Sequence, residues 1–315
     1  MKNLKTLDEV RLENVWLTIG AFDGVHLGHQ QIIRSLVTEA HQTGAVAVVL
    51  TFFPHPAVYL QKIRGPFYLS SPDKRAEILY GLGVDTVITE LFNENIANLS
   101  AQQYLDMLQK SLQIRQLWVG YDFAMGRGRE TNVTDLRKMA ENMGFVFRSL
   151  PAIEIDGEIV SSSQIRSMLL MGFVEDVIRK LGRPYQLDGV IVSGDRRGRH
   201  LGFPTANLQV MSQALIPENG VYACWATVRN QRYAAAVNIG VRPTFAGMET
   251  IPMIEVHLLD VFGKQDFYNE RLSIDFITRL RSEQSFPNAQ ALSDQIDQDV
   301  RKTRAVLMTP EKVSI

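Results

Sequence analysis

The chain has 315 residues, a length that favours two domains over one. Hydrophobic residues make up 45% and charged residues 21%, which is the composition of an ordinary globular protein and argues against disorder. The formal net charge of -1 provides no global basic field, so charge gives no support for a nucleic-acid partner and any anion must be bound at a local site.

The apolar residues are dispersed, and no run approaches the roughly 20 needed to cross a bilayer. We therefore expect a cytoplasmic protein with no membrane partner. Cys224 is the only cysteine, which excludes an internal disulfide and a thiolate-rich zinc site, and its apolar neighbours predict a core position.

The first part of the chain alternates β-branched runs with helical patterns, which is typical of βαβ units around a parallel sheet. Ser71-Pro72 and the pair Ser100/Gln103 supply helix starts. The predicted strands are 15–19, 45–52, 84–89 and 116–120, and the predicted helices are 30–40, 71–83, 100–112 and 164–172.

After residue 183 the pattern changes to period-two runs separated by Gly, Pro and Asn. This change predicts domains at 1–183 and 184–315, the second an antiparallel β domain that closes into a small barrel. A helical tail should pack on that barrel. The predicted strands are 185–192, 220–228, 232–240, 253–259 and 271–277, and the tail helix is 288–307.

The segment GAFDGVHLGH (20–29) joins the first strand to a helix, a corner at which proteins commonly bind phosphate. Gly24 and Gly28 leave room for close approach of a ligand. His26 and His29 are three residues apart, so both imidazoles should project to one side of the first helical turn and donate hydrogen bonds to phosphate oxygens.

Two further strand ends carry candidate side chains: His55 stands between two prolines, and Asp122 lies in the glycine- and arginine-rich segment 119–129. Open α/β sheets bind ligands at the carboxyl edge of their strands. His26, His29 and His55 could alternatively be three ligands of a metal ion.

A run of three serines, Ser161, Ser162 and Ser163, precedes a helical stretch that contains Arg166. Ser162 is expected to cap the helix. The hydroxyls, the free N–H groups of the helix start and the arginine also suit anion binding.

The second domain opens with a basic loop in which Gly194, Gly198 and Arg199 could fold over phosphates, although a solvated hairpin would have the same composition. The Walker pattern is absent. Thr205 and Asn207 lie two residues apart, on one face of an extended segment, and offer the oxygen ligands that Mg²⁺ prefers. An ordinary turn entering a strand is the alternative.

Taken together, these segments resemble the bifunctional riboflavin kinase/FMN adenylyltransferase family over nearly the whole chain. The family patterns GxFDGVHxGH, PHP, GxDFxFG, SSTxIR, GxxxGRxxGFPTAN and ExHLLD correspond to Gly20–His29 (including Phe22 and Asp23), 54–56, 120–126, 161–166, the segment ending at Asn207, and 255–260. Asn269 stands where the family commonly has glycine, and asparagine should preserve a left-handed turn there.

The resemblance implies a Rossmann-like nucleotidyltransferase domain that converts FMN and ATP to FAD and pyrophosphate. An FMN phosphate is already ionised, so no general base is needed, and positioning with charge stabilisation can suffice. His29 and Arg166 are expected to act mainly on the transition state. The expected nucleotide contacts are Gly20, Phe22, Asp23, Gly24, His26, Gly28, His55, Asp122, Ser161, Ser162 and Ser163, with Gly194, Gly198 and Arg199 in the second domain.

The resemblance also implies a barrel domain that phosphorylates riboflavin with ATP. A primary alcohol must lose its proton, and a positioned carboxylate can accept it. The family's catalytic glutamate corresponds to Glu255, and its metal and nucleotide ligands correspond to Thr205 and Asn207, with Mg²⁺ as the ion. Two alternatives stay open: an adenylyltransferase with an inactive kinase domain, and a flavin-sensing regulator. The sequence does not indicate an oligomeric state.

Overall fold

The computed structural model describes residues 6–155, 157–193, 203–241, 252–261 and 267–308. The chain divides into two compact units. The N-terminal unit comprises Met1–Gly65 and Ser70–Ser162, and the C-terminal unit comprises Pro66–Leu69 and Ser163–Ile315. The predicted boundary at residue 183 lies two residues before the first barrel strand, Tyr185–Val192, and stays a prediction.

A five-stranded parallel sheet with the order β3-β2-β1-β4-β7 forms the core of the N-terminal unit. The parallel sheet is confirmed, whereas its fifth strand, β7, was not predicted. The elements are β1 (Val15–Ile19), α1 (Leu27–Gln42), β2 (Val46–Phe53), α2 (Pro56–Leu60), α3 (Pro72–Gly81), β3 (Thr86–Leu91), α4 (Glu94–Ala97), α5 (Ala101–Leu112), β4 (Ile114–Gly120), β5 (Ala124–Met125), β6 (Thr131–Asn132), α6 (Val133–Met143), β7 (Val146–Leu150), β8 (Glu154–Ile155) and β9 (Glu158–Ile159), with short 3₁₀ turns at Leu7–Glu9 and Arg127–Arg129.

Strand β1 is buried on both faces, which explains its uninterrupted apolar sequence. Leu17 belongs to the hydrophobic cluster that contains Leu105 of α5, whereas Trp16 belongs to the cluster that contains Ile33 of α1. The strand order reverses beside β1, since β2 precedes it in the sheet and β4 follows it. Ligands of open α/β sheets bind at such a reversal, beyond the carboxyl ends of the strands.

The C-terminal unit is built around a closed antiparallel barrel with the order β10-β11-β14-β13-β12-β15. The barrel and its tail helix are confirmed, whereas β11 was not predicted as a strand. The elements are α7 (Ser162–Leu170), whose first residue is the last of the N-terminal unit, α8 (Val174–Leu181), β10 (Tyr185–Val192), β11 (Ala206–Val210), β12 (Gly220–Val228), β13 (Gln231–Val241), β14 (Pro252–Leu258), β15 (Arg271–Arg281) and α9 (Ala289–Leu307).

The turn before β15 keeps the left-handed backbone expected of Asn269, whose φ is +62°. Its N–H donates to the Ile191 carbonyl at 2.9 Å, which ties the turn to the end of β10. Asparagine therefore replaces the family's glycine at this position without loss of the turn.

Helix α9 packs on β12, β13 and β15. The Arg281 guanidinium on β15 donates two hydrogen bonds to the buried Asp299 carboxylate on α9, from Nε to Oδ1 at 3.1 Å and from Nη2 to Oδ2 at 2.8 Å. Two parallel hydrogen bonds between opposite charges hold a helix more firmly than apolar contact alone.

Replacing Asp299 by alanine should lower the free energy of unfolding of the barrel by about 3 kcal/mol, because the Arg281 guanidinium then loses its partner in a largely buried position. Asp297→Ala is the matched control, since Asp297 pairs with Arg301 on the exposed side of the same helix and should contribute less than about 0.5 kcal/mol. Urea unfolding followed by ¹⁹F NMR of the fluorotryptophan-labelled protein measures the effect at Trp225, a barrel residue. Equal effects of the two substitutions would contradict the role assigned to the ion pair.

Candidate active sites

The first site is the corner between β1 and α1, residues Gly20–His29. Phe22 and Val25 are buried there with φ of +47° and +42°, a region that side-chain-bearing residues rarely occupy. The corner is tied to the sheet by the Gly20 N–H, which donates to the Leu50 carbonyl at 3.1 Å. A β-branched residue in left-handed backbone costs free energy, and such strain is concentrated at functional sites.

Asp23 lies at the centre of this corner and is buried. Its carboxylate accepts hydrogen bonds from the Ser70 N–H at 3.1 Å and the Ser70 hydroxyl at 3.3 Å, and the Ser70 hydroxyl oxygen accepts from the Gly24 N–H at 3.1 Å. The Asp23 side chain thus fixes the shape of the loop through a serine that sequence reasoning missed. A direct contact between Asp23 and a nucleotide stays a prediction.

The predicted cap at Ser162 is wrong. Ser162 is the first residue of α7, and its hydroxyl donates to the Asp23 carbonyl oxygen at 3.0 Å. This hydrogen bond holds Ser162 against the main chain of the corner Gly20–His29. Spacing alone could not reveal this, because the acceptor is 139 residues away in the sequence.

A buried cation lies beside the same loop. Arg75 of α3 is fully buried, and its Nη1 donates to the Ala21 carbonyl and, at 3.2 Å, to the Thr51 hydroxyl. The Thr51 hydroxyl itself donates to the Ala21 carbonyl at 2.8 Å. A fixed positive charge this close to the corner raises the local potential for an anion despite the chain's negligible net charge.

The two histidines of the corner lie side by side, as predicted. Their rings are stacked with centroids 3.6 Å apart and planes 20° apart. The Phe22 ring meets the His29 ring edge-on, with centroids 5.1 Å apart. His26 is the N-cap of α1, and its Nδ1 accepts from the His29 N–H at 3.4 Å. In the neutral form His26 therefore carries its proton on Nε2.

Burial lowers the pKa of His29 well below its usual value, and electrostatic repulsion from His26, Arg75 and His55 lowers it further. His29 is consequently a neutral imidazole at pH 7. Its Nδ1 is buried without a hydrogen-bond partner in the described part of the chain. A neutral ring with a low pKa is a weak base, and it suits hydrogen bonding to phosphate better than proton abstraction.

Gly28 lies against the His26 ring. A Cβ atom at this position would lie 3.1 Å from the Cε1 and Nδ1 atoms of the His26 ring. The absence of a side chain at Gly28 therefore makes room for the His26 ring; the room expected for a ligand stays a prediction.

His55 and Asp122 lie at strand ends, as expected. His55 follows β2 and caps α2, with its Nδ1 accepting from the Ala57 N–H at 3.0 Å. Asp122 is exposed in the turn after β4, where its main-chain carbonyl accepts from Arg129 Nη2 at 3.0 Å. Within the described ranges, no group of three or more His, Cys, Asp or Glu is arranged to hold a metal, so nothing there corresponds to the three-histidine alternative.

Arg166 and Ser163 belong to the C-terminal unit. The Arg166 Nε donates to the Phe67 carbonyl at 2.8 Å, and its guanidinium carbon lies 3.9 Å from the centre of the Phe67 ring. These contacts fix the orientation of the arginine. The grouping of Ser161, Ser163 and Arg166 with the corner histidines stays a prediction.

The second site is a row of polar side chains across three neighbouring barrel strands. Asn207 of β11 pairs directly with Glu255 of β14, which pairs directly with Asn238 of β13. Directly paired residues project to the same face of a sheet, with Cβ atoms roughly 5 Å apart. Ile254 and Val256 are buried while Glu255 is half-buried, so the period-two pattern predicted for this strand holds around Glu255; it does not extend to the strand end, where residue 258 is half-buried and residue 259 is buried.

Thr205 is exposed and immediately precedes β11, so it enters the barrel next to this row. Only the strand register reveals that Asn238 lies beside Glu255. Gly194, Gly198 and Arg199 lie outside the described residues.

Comparisons with known proteins agree with two separate sites. A family model described as FAD synthetase matches residues 8–164, and one described as riboflavin kinase matches residues 181–307. Proteins named bifunctional riboflavin kinase/FMN adenylyltransferase are similar to the chain: the one from Pseudomonas fluorescens is 37% identical over 290 residues, covering 92% of both chains, and the one from Listeria monocytogenes is 35% identical over 301 residues, covering 95% of both.

A crystal structure titled as a macrolide-efflux protein from Streptococcus pneumoniae matches the fold with a TM-score of 0.85 and 28% identity, covering 96% of this chain and 98% of that one. In the part of the chain that the structure describes, no helix is both long and apolar enough to cross a membrane.

The low pKa of His29 predicts a loss of stability in acid. Above pH ~6.5 the imidazole is neutral in both states, but below it the unfolded chain takes up a proton that the folded corner excludes, so the free energy of unfolding falls as the pH decreases. His29→Asn should weaken this dependence between about pH 6.5 and 5. The measurement is urea unfolding followed by the ¹⁹F signals of Trp16 and Trp118, which report the N-terminal unit.

His257→Asn provides the control, because His257 lies in the other unit and should leave the pH dependence of these two signals unchanged. An unaltered pH dependence in His29→Asn would contradict the assignment of a neutral, buried His29.

Proposed function

The chain belongs to the bifunctional riboflavin kinase/FMN adenylyltransferase family, and we propose that it works through the corner Gly20–His29 and the row Asn207–Glu255–Asn238. It is an enzyme that phosphorylates riboflavin to FMN with ATP and then adenylylates FMN to FAD with release of pyrophosphate. The observation that best supports the kinase site is the direct pairing of Asn207 with Glu255. It brings the proposed metal ligand and the proposed base to the same face of the barrel sheet.

In the adenylylation, an oxygen of the FMN phosphate attacks the α-phosphorus of ATP, and the bond to the β-phosphate oxygen breaks to release pyrophosphate. The nucleophile needs no base because it is already ionised. His26 and His29 bind the phosphates as hydrogen-bond donors, and the buried Arg75 adds a positive potential. The low pKa of His29 supports this role over general-base catalysis.

In the kinase reaction, Glu255 accepts the proton of the primary alcohol of riboflavin while that oxygen attacks the γ-phosphorus of ATP, and ADP leaves. The two amides that flank Glu255, Asn207 and Asn238, can hydrogen-bond to its carboxylate or to a phosphate.

The kinase site also fits Mg²⁺, which prefers one or two protein oxygens together with phosphate oxygens. The Thr205 hydroxyl and the Asn207 amide oxygen are the residues that would hold the ion. When bound, it would neutralise charge on the transferred phosphate. The cofactor therefore belongs to the same proposal, with ATP as the co-substrate.

A cytoplasmic location is part of the proposal, because both reactions consume ATP. Two alternatives are less well supported. A chain with an inactive kinase domain, or a flavin-sensing regulator, should have lost catalytic side chains, whereas Thr205, Asn207 and Glu255 are present in the segment that matches the riboflavin kinase model.

The test is to incubate the purified protein with riboflavin, ATP and Mg²⁺ and to separate the flavins by chromatography. We expect FMN to appear first and FAD to follow. A monofunctional adenylyltransferase would form FAD only from added FMN, and a regulator would form neither product.

Glu255→Gln should reduce FMN formation about 10²- to 10⁴-fold, because the amide cannot accept the proton. The rate of FAD formation from added FMN should be unchanged. Glu270→Gln is the control, since Glu270 is a barrel residue that pairs with Arg229 at the surface. Initial rates of both reactions, measured on each variant, decide between a base and a structural glutamate.

His29→Ala should have the opposite selectivity. Removing a donor to the developing charge should slow FAD formation about 10²- to 10³-fold while FMN formation continues. If the folded variant lost both activities, the division into two sites would be wrong.

A further inference from the structure

His257 lies on β14 two residues after Glu255, on the same half-buried face. Its Nδ1 is 2.8 Å from the carbonyl oxygen of Pro204, and its ring meets the Phe203 ring edge-on, with centroids 5.6 Å apart and planes at 83°. A carbonyl oxygen can only accept, so Nδ1 carries the hydrogen and donates it.

This hydrogen bond is placed where the barrel ladder begins. Pairing between β11 and β14 starts at Ala206 with Val256, and Pro204 has no N–H to extend it. Among the described residues, the bond from His257 is the one hydrogen bond outside that ladder that reaches residues 203–205. The backbone entering Thr205 therefore depends on it.

We propose that His257 is a positioning residue of the kinase site, which holds the Pro204 carbonyl and thereby sets where the Thr205 hydroxyl enters beside Asn207 and Glu255. This role rests on the proposed function of Thr205 and Asn207 as magnesium ligands. His257 itself contacts neither substrate nor metal in the proposal.

The contact does not depend on the charge of the histidine. Burial lowers the pKa of His257, the hydrogen bond to Pro204 opposes that effect, and the charge of Arg304 adds to it, so the ring is neutral at pH 7. Both the neutral tautomer with hydrogen on Nδ1 and the protonated ring donate to the carbonyl. The geometry thus persists across the working pH range.

Two substitutions separate the hydrogen bond from the packing of the ring. His257→Asn keeps a donor where Nδ1 stands and removes the ring, whereas His257→Phe keeps a ring against Phe203 and removes the donor. Each full-length variant is assayed for FMN formation as a function of Mg²⁺ concentration. FAD formation from added FMN, which the N-terminal unit catalyses in the same molecule, serves as the internal control.

His257→Phe should lower kcat/KM for FMN formation about tenfold and raise the apparent Mg²⁺ requirement, a loss in the range of one hydrogen bond. His257→Asn should stay within about twofold of the natural chain, because it retains the donor. Hydrogen exchange of the peptide covering residues 203–208, measured by mass spectrometry without ligands, should be faster in His257→Phe and unchanged in His257→Asn.

The proposal is overturned if His257→Phe matches the natural chain in rate and exchange, or if His257→Asn is as impaired as His257→Phe, which would assign the effect to the ring. A parallel loss of FAD formation would overturn it as well, because the substitution would then act on the whole chain. Thr205→Ala tests the underlying assumption that Thr205 is a magnesium ligand. If this variant forms FMN normally, the proposed magnesium site is wrong, but the hydrogen-exchange data still decide whether His257 holds residues 203–205.

Discussion

Backbone hydrogen bonding between neighbouring strands determines where the candidate side chains lie in both units. In the parallel sheet, the register of β1 with β2 and β4 brings the corner after Ile19 and the ends of the adjacent strands to one edge. In the barrel, the register aligns Asn207, Glu255 and Asn238 across three strands. A shift of one residue on β14 would turn Glu255 towards the core, so the chemistry depends on pairing that the buried residues enforce.

Binding of anions by a chain of almost neutral charge requires local fields, and the N-terminal corner provides them with little exposed charge. The Arg75 guanidinium is buried, while His29 is neutral because burial and neighbouring positive charges lower its pKa. The corner therefore offers hydrogen-bond donors and a positive electrostatic potential, but no group that would act as a base near neutral pH. The barrel differs in this respect, because an alcohol substrate must lose a proton, and Glu255 is the base proposed to accept it.

The fold class and most elements could be predicted from periodicity, since apolar runs and helix caps are local signals. The motif residues could also be located, because they are contiguous in the sequence. The partners that hold them could not: Ser70, Thr51 and Arg75 meet the corner through tertiary contacts, and Asn238 meets Glu255 through register. The cap expected at Ser162 was wrong for the same reason, since its distant acceptor outweighs the local spacing.

The four residues Pro66–Leu69 are separated by about a hundred positions from the rest of the C-terminal unit, yet they are part of it. The Tyr68 N–H donates to the Gln213 carbonyl at 2.9 Å, the Leu215 N–H donates to the Tyr68 carbonyl at 2.9 Å, and the Tyr68 side chain is almost fully buried. A fragment beginning at residue 184 would lack residues 66–69 and would expose the surface that they cover. Recombining the C-terminal half with that of a relative would therefore require residues 66–69 to be exchanged together with the barrel.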